Sequence, residues 1–166
     1  MLTKTVDINE GDCIIQNAAN SAVGLLVIQM AKARGIKTIN VIRSRSNLKE
    51  AVERLEKLGA TLVVTAEDLN QQGLKKLLPE GMAMPKLALD AVGGSSTNDL
   101  VSSLAPGGTL CNYGLLSGKP CEVGAADLIF RGIKVTGFWL TRFFFIEIFK
   151  KFQTLNFFIS SFFSVI

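Results

Sequence analysis

Two hydrophobic spacings alternate along the chain. Short apolar, mostly β-branched runs at Cys13–Gln16, Lys37–Ile42, Thr61–Val64, Lys86–Val92, Thr109–Tyr113 and Ile133–Leu140 predict strands. Between them the apolar positions recur every three or four residues and predict helices. Val23, Leu26, Val27, Met30 and Ala31 mark the first, and Leu48, Val52, Leu55 and Leu58 the second. Ser46 is the expected cap of a helix over Asn47–Leu58, with Gly59 as its stop. Thr65 and Asp68 form a loose capping box at the head of a helix running towards Leu78, which Gly73 weakens and Pro79 follows. Ser95 and Ser96 are expected to cap a helix through Leu104, ended by Pro106-Gly107-Gly108. A short helix is expected at Ala125–Phe130.

Strand and helix therefore alternate, and the strands are apolar almost throughout. That combination predicts a parallel sheet buried on both faces. With right-handed crossovers it becomes a doubly wound α/β (Rossmann) fold of about six strands. The 166 residues fit one domain, and 48% of them are apolar, enough for a core.

Composition narrows the chemistry. The chain has no histidine, which excludes Ser-His-Asp and Cys-His catalysis and any His-ligated metal. Cys13, Cys111 and Cys121 are odd in number and lie far apart without a C-x-x-C, so neither a disulfide scaffold nor a cysteine-rich zinc site is expected; the compartment is expected to be reducing. A net charge of +4 suits an anionic ligand or a plain basic surface. The basic residues are scattered and form no stripe, so nucleic acid is not an expected partner. Met1–Glu10 has no apolar stretch of the targeting kind.

The sharpest chemistry lies at two strand ends. After the first strand, Gln16-Asn17-Ala18-Ala19-Asn20-Ser21-Ala22-Val23-Gly24 makes a turn of small and polar residues that opens a helix. Such a turn lets backbone approach a pyrophosphate, and the helix N-terminus offers free N–H groups. Its glycine fingerprint is eroded, with Ala18, Asn20 and Gly24 in the glycine positions. Nineteen residues beyond Gly24, Arg43-Ser44-Arg45 stands where an NAD site usually has a carboxylate for the ribose 2′-hydroxyl. Two guanidiniums there favour a 2′-phosphate, and so NADPH. The missing acid also argues against an S-adenosylmethionine site. Tyr113 has Ser117, not Lys, four residues on, which argues against a short-chain reductase.

These motifs, with Asn40-Val41-Ile42-Arg43-Ser44-Arg45, Leu87-Ala88-Leu89-Asp90-Ala91-Val92-Gly93-Gly94, Gly107-Gly108-Thr109 and Gly137-Phe138-Trp139-Leu140, resemble the nucleotide-binding domain of mitochondrial trans-2-enoyl thioester reductases. That family belongs to the zinc-free medium-chain dehydrogenase/reductases, and the resemblance runs from about Gly11 to Leu140. It implies that Asn20, Ser21, Ala22 and Val23 line the pyrophosphate turn and that Arg43, Ser44 and Arg45 hold the 2′-phosphate. It further implies that Tyr113, Gly114, Leu115 and Leu116 pass beneath the cofactor, and that Phe138, Trp139 and Leu140 meet the nicotinamide end. Ala22 stands for the family's usual Gly, and Leu115-Leu116 for a Gly-Met-like pair.

The resemblance implies an oxidoreductase that reduces the 2,3-double bond of an enoyl thioester, carried on acyl carrier protein or coenzyme A, in mitochondrial fatty-acid synthesis. It places the catalytic tyrosine in a domain preceding the first strand, so no catalytic or metal-ligating residue is expected here. The alternative is a non-catalytic NADPH-binding isoform acting through a partner, with a cytosolic location open to it. A homodimer through the sixth strand is also implied. Residues 1–142 are expected to form the NADPH-binding domain and 143–166 an atypical tail. That tail holds nine of the eleven phenylalanines, and its uncharged part, 152–166, is shorter than the roughly 20 residues that span a bilayer. A splice or read-through product, a partner-packing helix and a membrane segment all remain open for it.

Overall fold

The computed structural model describes residues 6–143; most of the tail, 144–166, lies outside the described residues. The strands are β1 (Cys13–Gln16), β2 (Lys37–Ile42), β3 (Leu62–Thr65), β4 (Leu87–Asp90), β5 (Thr109–Asn112) and β6 (Lys134–Gly137). The helices are α1 (Ala22–Lys32), α2 (Leu48–Leu58), α3 (Ala66–Gln72), α4 (Leu74–Leu77), α5 (Ser95–Ser102) and α6 (Ala125–Phe130). All six strands pair in parallel in the order β3-β2-β1-β4-β5-β6. This is the doubly wound arrangement, with its direction of winding reversed between β1 and β4.

Alternate residues of each strand serve opposite faces. Ile14, Leu87, Leu89 and Cys111 pack with Val27 and Ala31 of α1, while Ile15, Ala88 and Leu110 pack with Leu100 and Val101 of α5. Both faces are thus covered, which is why the strand sequences lack a polar side. Ala19, Ile28, Ile42 and Leu55 seal α1 against α2. Among the described residues, β6, at the sheet edge, is the one strand exposed throughout.

The element ends differ from the expected ones for identifiable reasons. Asn47, not Ser46, is the N-cap position of α2, and it makes no side-chain cap; Gly59 ends that helix at φ 108°. Thr65 caps α3 as expected, its Oγ1 accepting from the Asp68 amide at 3.0 Å. The helix expected to reach Leu78 breaks at Gly73, φ 71°, into α3 and α4. Ser95 and Ser96 lie inside α5, whose N-cap is Gly94 at φ 61°. β4 stops at Asp90 because that carboxylate takes the amides of Val92 and Gly93, at 2.9 and 3.0 Å, and turns the chain. β3 begins one residue late, because Thr61 and Thr38 exchange side-chain bonds to each other's amides. β6 ends at Gly137, three residues short of Leu140, where the chain enters a helical turn at 140–143. Among the described residues, no helix is long and apolar enough to cross a membrane.

Candidate nucleotide-binding site

A cleft of about 640 Å³ opens over the C-terminal ends of β1, β2 and β3, beside the turn that follows β4. Its floor is set by the turn after β1. Gln16 is fully buried, and its Nε2 donates to the Gly24 carbonyl at 3.1 Å and to Asn40 Oδ1 at 2.8 Å, which ties α1 to β2. Ala18 takes the left-handed conformation at φ 46°. Gly24 has no room for a side chain, since a Cβ there would lie 2.5 Å from the Ala19 carbonyl oxygen. The chain thus reverses tightly enough to bring the head of α1 to the cleft.

Ser21 caps α1, its Oγ accepting from the Gly24 amide at 3.2 Å. Among the described residues, the Ala22 and Val23 amides, one and two residues further on, have no acceptor. No acidic residue occupies this first turn, so the positive end of the helix dipole is uncompensated. An anion suits that position.

Asp90 holds the other side. It is fully buried and accepts from Asn17 Nδ2 at 2.7 Å, Thr97 Oγ1 at 2.6 Å and Asn112 Nδ2 at 3.2 Å, besides the two turn amides. Burial alone would raise its pKa. The bonds from Thr97, Gly93, Asn17 and Val92 outweigh burial and hold it below the ordinary carboxylate value. Asn17 closes the network by accepting from the Ala91 amide at 2.8 Å and donating to Ser96 Oγ at 3.1 Å.

Of the residues expected in the site, Asn20, Ser21, Arg43 and Leu116 line the cleft together. Ala22 is exposed at the head of α1, and Val23 turns inward to pack beside Val27. Ser44 and Arg45 are exposed on the loop after β2, and among the described residues the guanidiniums of Arg43 and Arg45 make no ion pair or hydrogen bond. Gly114 lies against the Ala91 carbonyl, leaving 2.7 Å for a Cβ, so the loop after β5 presses on the turn after β4. Leu115 is exposed at the rim. The Tyr113 hydroxyl is buried and, among the described residues, makes no hydrogen bond of full geometry, although the Ser21 hydroxyl lies close enough to favour its ionised form. Burial pushes its pKa up to about 12; Asp90 and Cys111 add to this, and Ser21 opposes it. Phe138, Trp139 and Leu140 are not brought to the cleft. Phe138 packs under the sheet edge, and Trp139 is 70% exposed beyond it.

Sequence reasoning missed Asn17, Ala66, Glu67, Ser96 and Ser117, which also line the cleft. Ala66 and Glu67 carried one usable signal: they follow β3 directly, as Arg43 follows β2.

The family model described as zinc-binding dehydrogenase matches residues 22–160. The chain belongs to that family. The donor set does not fit the zinc of the family's name: the chain has no histidine, and among the described residues no group of three or more His, Cys, Asp or Glu could hold a metal. Within the family, the chain is 49% identical over 144 residues to the mitochondrial enoyl-[acyl-carrier-protein] reductase of Dictyostelium discoideum, covering 87% of this chain and 41% of that protein. The solved Etr1p complex with NADP and crotonyl-CoA matches with a TM-score of 0.83 and 35% identity, over 94% of this chain and 44% of the other. A mitochondrial 2-enoyl thioester reductase Etr1p/Etr2p heterodimer from Candida tropicalis matches at 0.82 and 35%, over 93% and 44%. The chain thus spans about two fifths of the length of the curated relatives it matches.

Proposed function

We propose that residues 1–142 form the NADPH-binding unit of an oxidoreductase that reduces the 2,3-double bond of trans-2-enoyl thioesters in mitochondrial fatty-acid synthesis. The observation that carries this reading is the cleft, with Ser21 at the head of α1 on one wall, next to the open amides, and the unpaired guanidinium of Arg43 on the other. The amides suit the pyrophosphate, and Arg43, Ser44 and Arg45 suit a 2′-phosphate by charge-assisted hydrogen bonds. Asn20, Ser21, Ala22 and Val23 surround the pyrophosphate in this reading. On the same reading Tyr113, Gly114, Leu115 and Leu116 lie below the cofactor, and its nicotinamide end reaches beyond the cleft to Phe138, Trp139 and Leu140. When bound, NADPH supplies a hydride to the β-carbon of the enoyl group. The thioester is carried on acyl carrier protein or coenzyme A, and the names of the relatives support a mitochondrial location. The exposed edge of β6 supports a homodimer.

A second reading is a non-catalytic NADPH-binding chain that works through a larger partner. The cleft's chemistry favours it: among the described residues Glu67 is the one carboxylate lining it, and the Tyr113 phenol is pushed to about 12. Titrating the 166-residue chain with NADPH, then adding crotonyl-CoA, separates the two. Binding followed by thioester-dependent NADPH oxidation supports the first reading. Binding without oxidation supports the second, and no binding overturns both.

A further inference from the structure

We infer that Glu67 is a specificity-determining residue, an internal anion that occupies the phosphate position of the loop after β2 and restrains the preference for a 2′-phosphate. The inference rests on the NADPH reading above. Ile42 and Thr65 are the last registered pair of β2 and β3, and Ser44 and Glu67 each lie two residues beyond it. That spacing brings the two strand ends face to face, and the Ser44 amide donates to Glu67 Oε2 at 3.2 Å. The neighbouring acid cannot play this part, because Asp68 Oδ2 accepts from the Thr65 hydroxyl at 2.6 Å within the cap of α3. Glu67 is exposed, lines the same cleft as Arg43, and faces a loop whose two guanidiniums are unpaired.

A carboxylate accepting from this amide does what one oxygen of a bound phosphate would do. A 2′-phosphate entering the Arg43–Arg45 loop must displace Glu67 from the Ser44 amide, or sit beside it and be repelled. A ribose 2′-hydroxyl has no such conflict, because it can donate to the carboxylate. Glu67 therefore lowers affinity for the phosphorylated ligand and leaves the unphosphorylated one unaffected or slightly favoured. Specificity is the difference between those two affinities, and Glu67 acts on it through repulsion.

The test uses the full chain, wild type and Glu67→Gln, titrated calorimetrically with adenosine 2′,5′-bisphosphate and adenosine 5′-monophosphate. Glu67→Gln should bind the bisphosphate about two- to fivefold tighter, the range for one partly screened charge contact, and the monophosphate no tighter. Unchanged or weaker bisphosphate binding overturns the inference. Equal tightening of both ligands overturns it too, since the effect would then be independent of the 2′-phosphate. Glu67→Ala, which removes the hydrogen-bonding group as well, should reproduce the gain, and its failure to do so counts against the inference. Wild-type and Glu67→Gln chains that both bind the two nucleotides equally would show that the failure lies with the NADPH reading.

Discussion

Asp90 shows how one side chain organises a site that it does not line. Its two oxygens gather donors from the turn after β1, the turn after β4, α5 and β5, and the first three of these border the cleft. Replacing it with Asn turns one acceptor into a donor facing Thr97 and Asn112. The expected cost at pH 7 is about 1–3 kcal/mol, the range for a buried polar group left without its partner. The pH dependence has a definite sign. The folded pKa lies below the unfolded value of 3.8, so the carboxylate contributes stability above that value and loses it as pH falls through the folded one. Urea unfolding at pH 7 and pH 3 should therefore show the gap between wild type and Asp90→Asn narrowing in acid. A penalty of equal size at both pH values would contradict this.

At the scale of elements, the turn between β1 and α1 depends on close backbone contact. A methyl at Gly24 would meet the Ala19 carbonyl oxygen at 2.5 Å, and backbone cannot step aside as a side-chain tip can. Gly24→Ala should cost about 1–3 kcal/mol, the usual range for overpacking, and should also weaken NADPH by tilting the head of α1. An unchanged unfolding midpoint would refute the contact. The same element marks the limit of what the sequence makes legible. β2, the body of α2 with Gly59 as its stop and the doubly wound parallel sheet follow from apolar spacing and right-handed winding, because those signals are local or universal. Arg43 could be picked out because its place after β2 has one usual use in this fold. Asn17 and Glu67 could not, since their roles arise from partners brought close only by folding. Asn17 meets Asp90 across 73 residues, and Glu67 meets Ser44 across 23. The capping of α5 was misplaced because two serines look like caps wherever a helix starts, whereas the turn here needs the positive φ of Gly93 and Gly94.

At the scale of the whole molecule, the open edge of β6 is the feature most suited to self-association. The amides of Lys134 and Phe138 bond to the carbonyls of Gly108, just before β5, and Asn112 at its end, so by alternation those of Val135 and Gly137 face outward. Val135 and Trp139 add exposed apolar surface at the same edge. Light scattering on the full chain should report a dimer or larger species. Val135→Pro removes one outward amide and no bond to β5, so it should shift the population towards monomer while the melting temperature of the domain stays nearly unchanged. A monomeric wild type, or a variant as dimeric as wild type, would contradict edge pairing.

The central claim is that the loop after β2 reads a 2′-phosphate. Calorimetric titration of wild type and Arg43→Ala with NADPH and with NADH tests it most directly. Losing one charge-assisted contact costs about 1.5–3 kcal/mol, so NADPH should weaken roughly ten- to a hundredfold. NADH should change by no more than about twofold, since Arg43 has no phosphate to grip there. Equal weakening of the two cofactors would contradict the account.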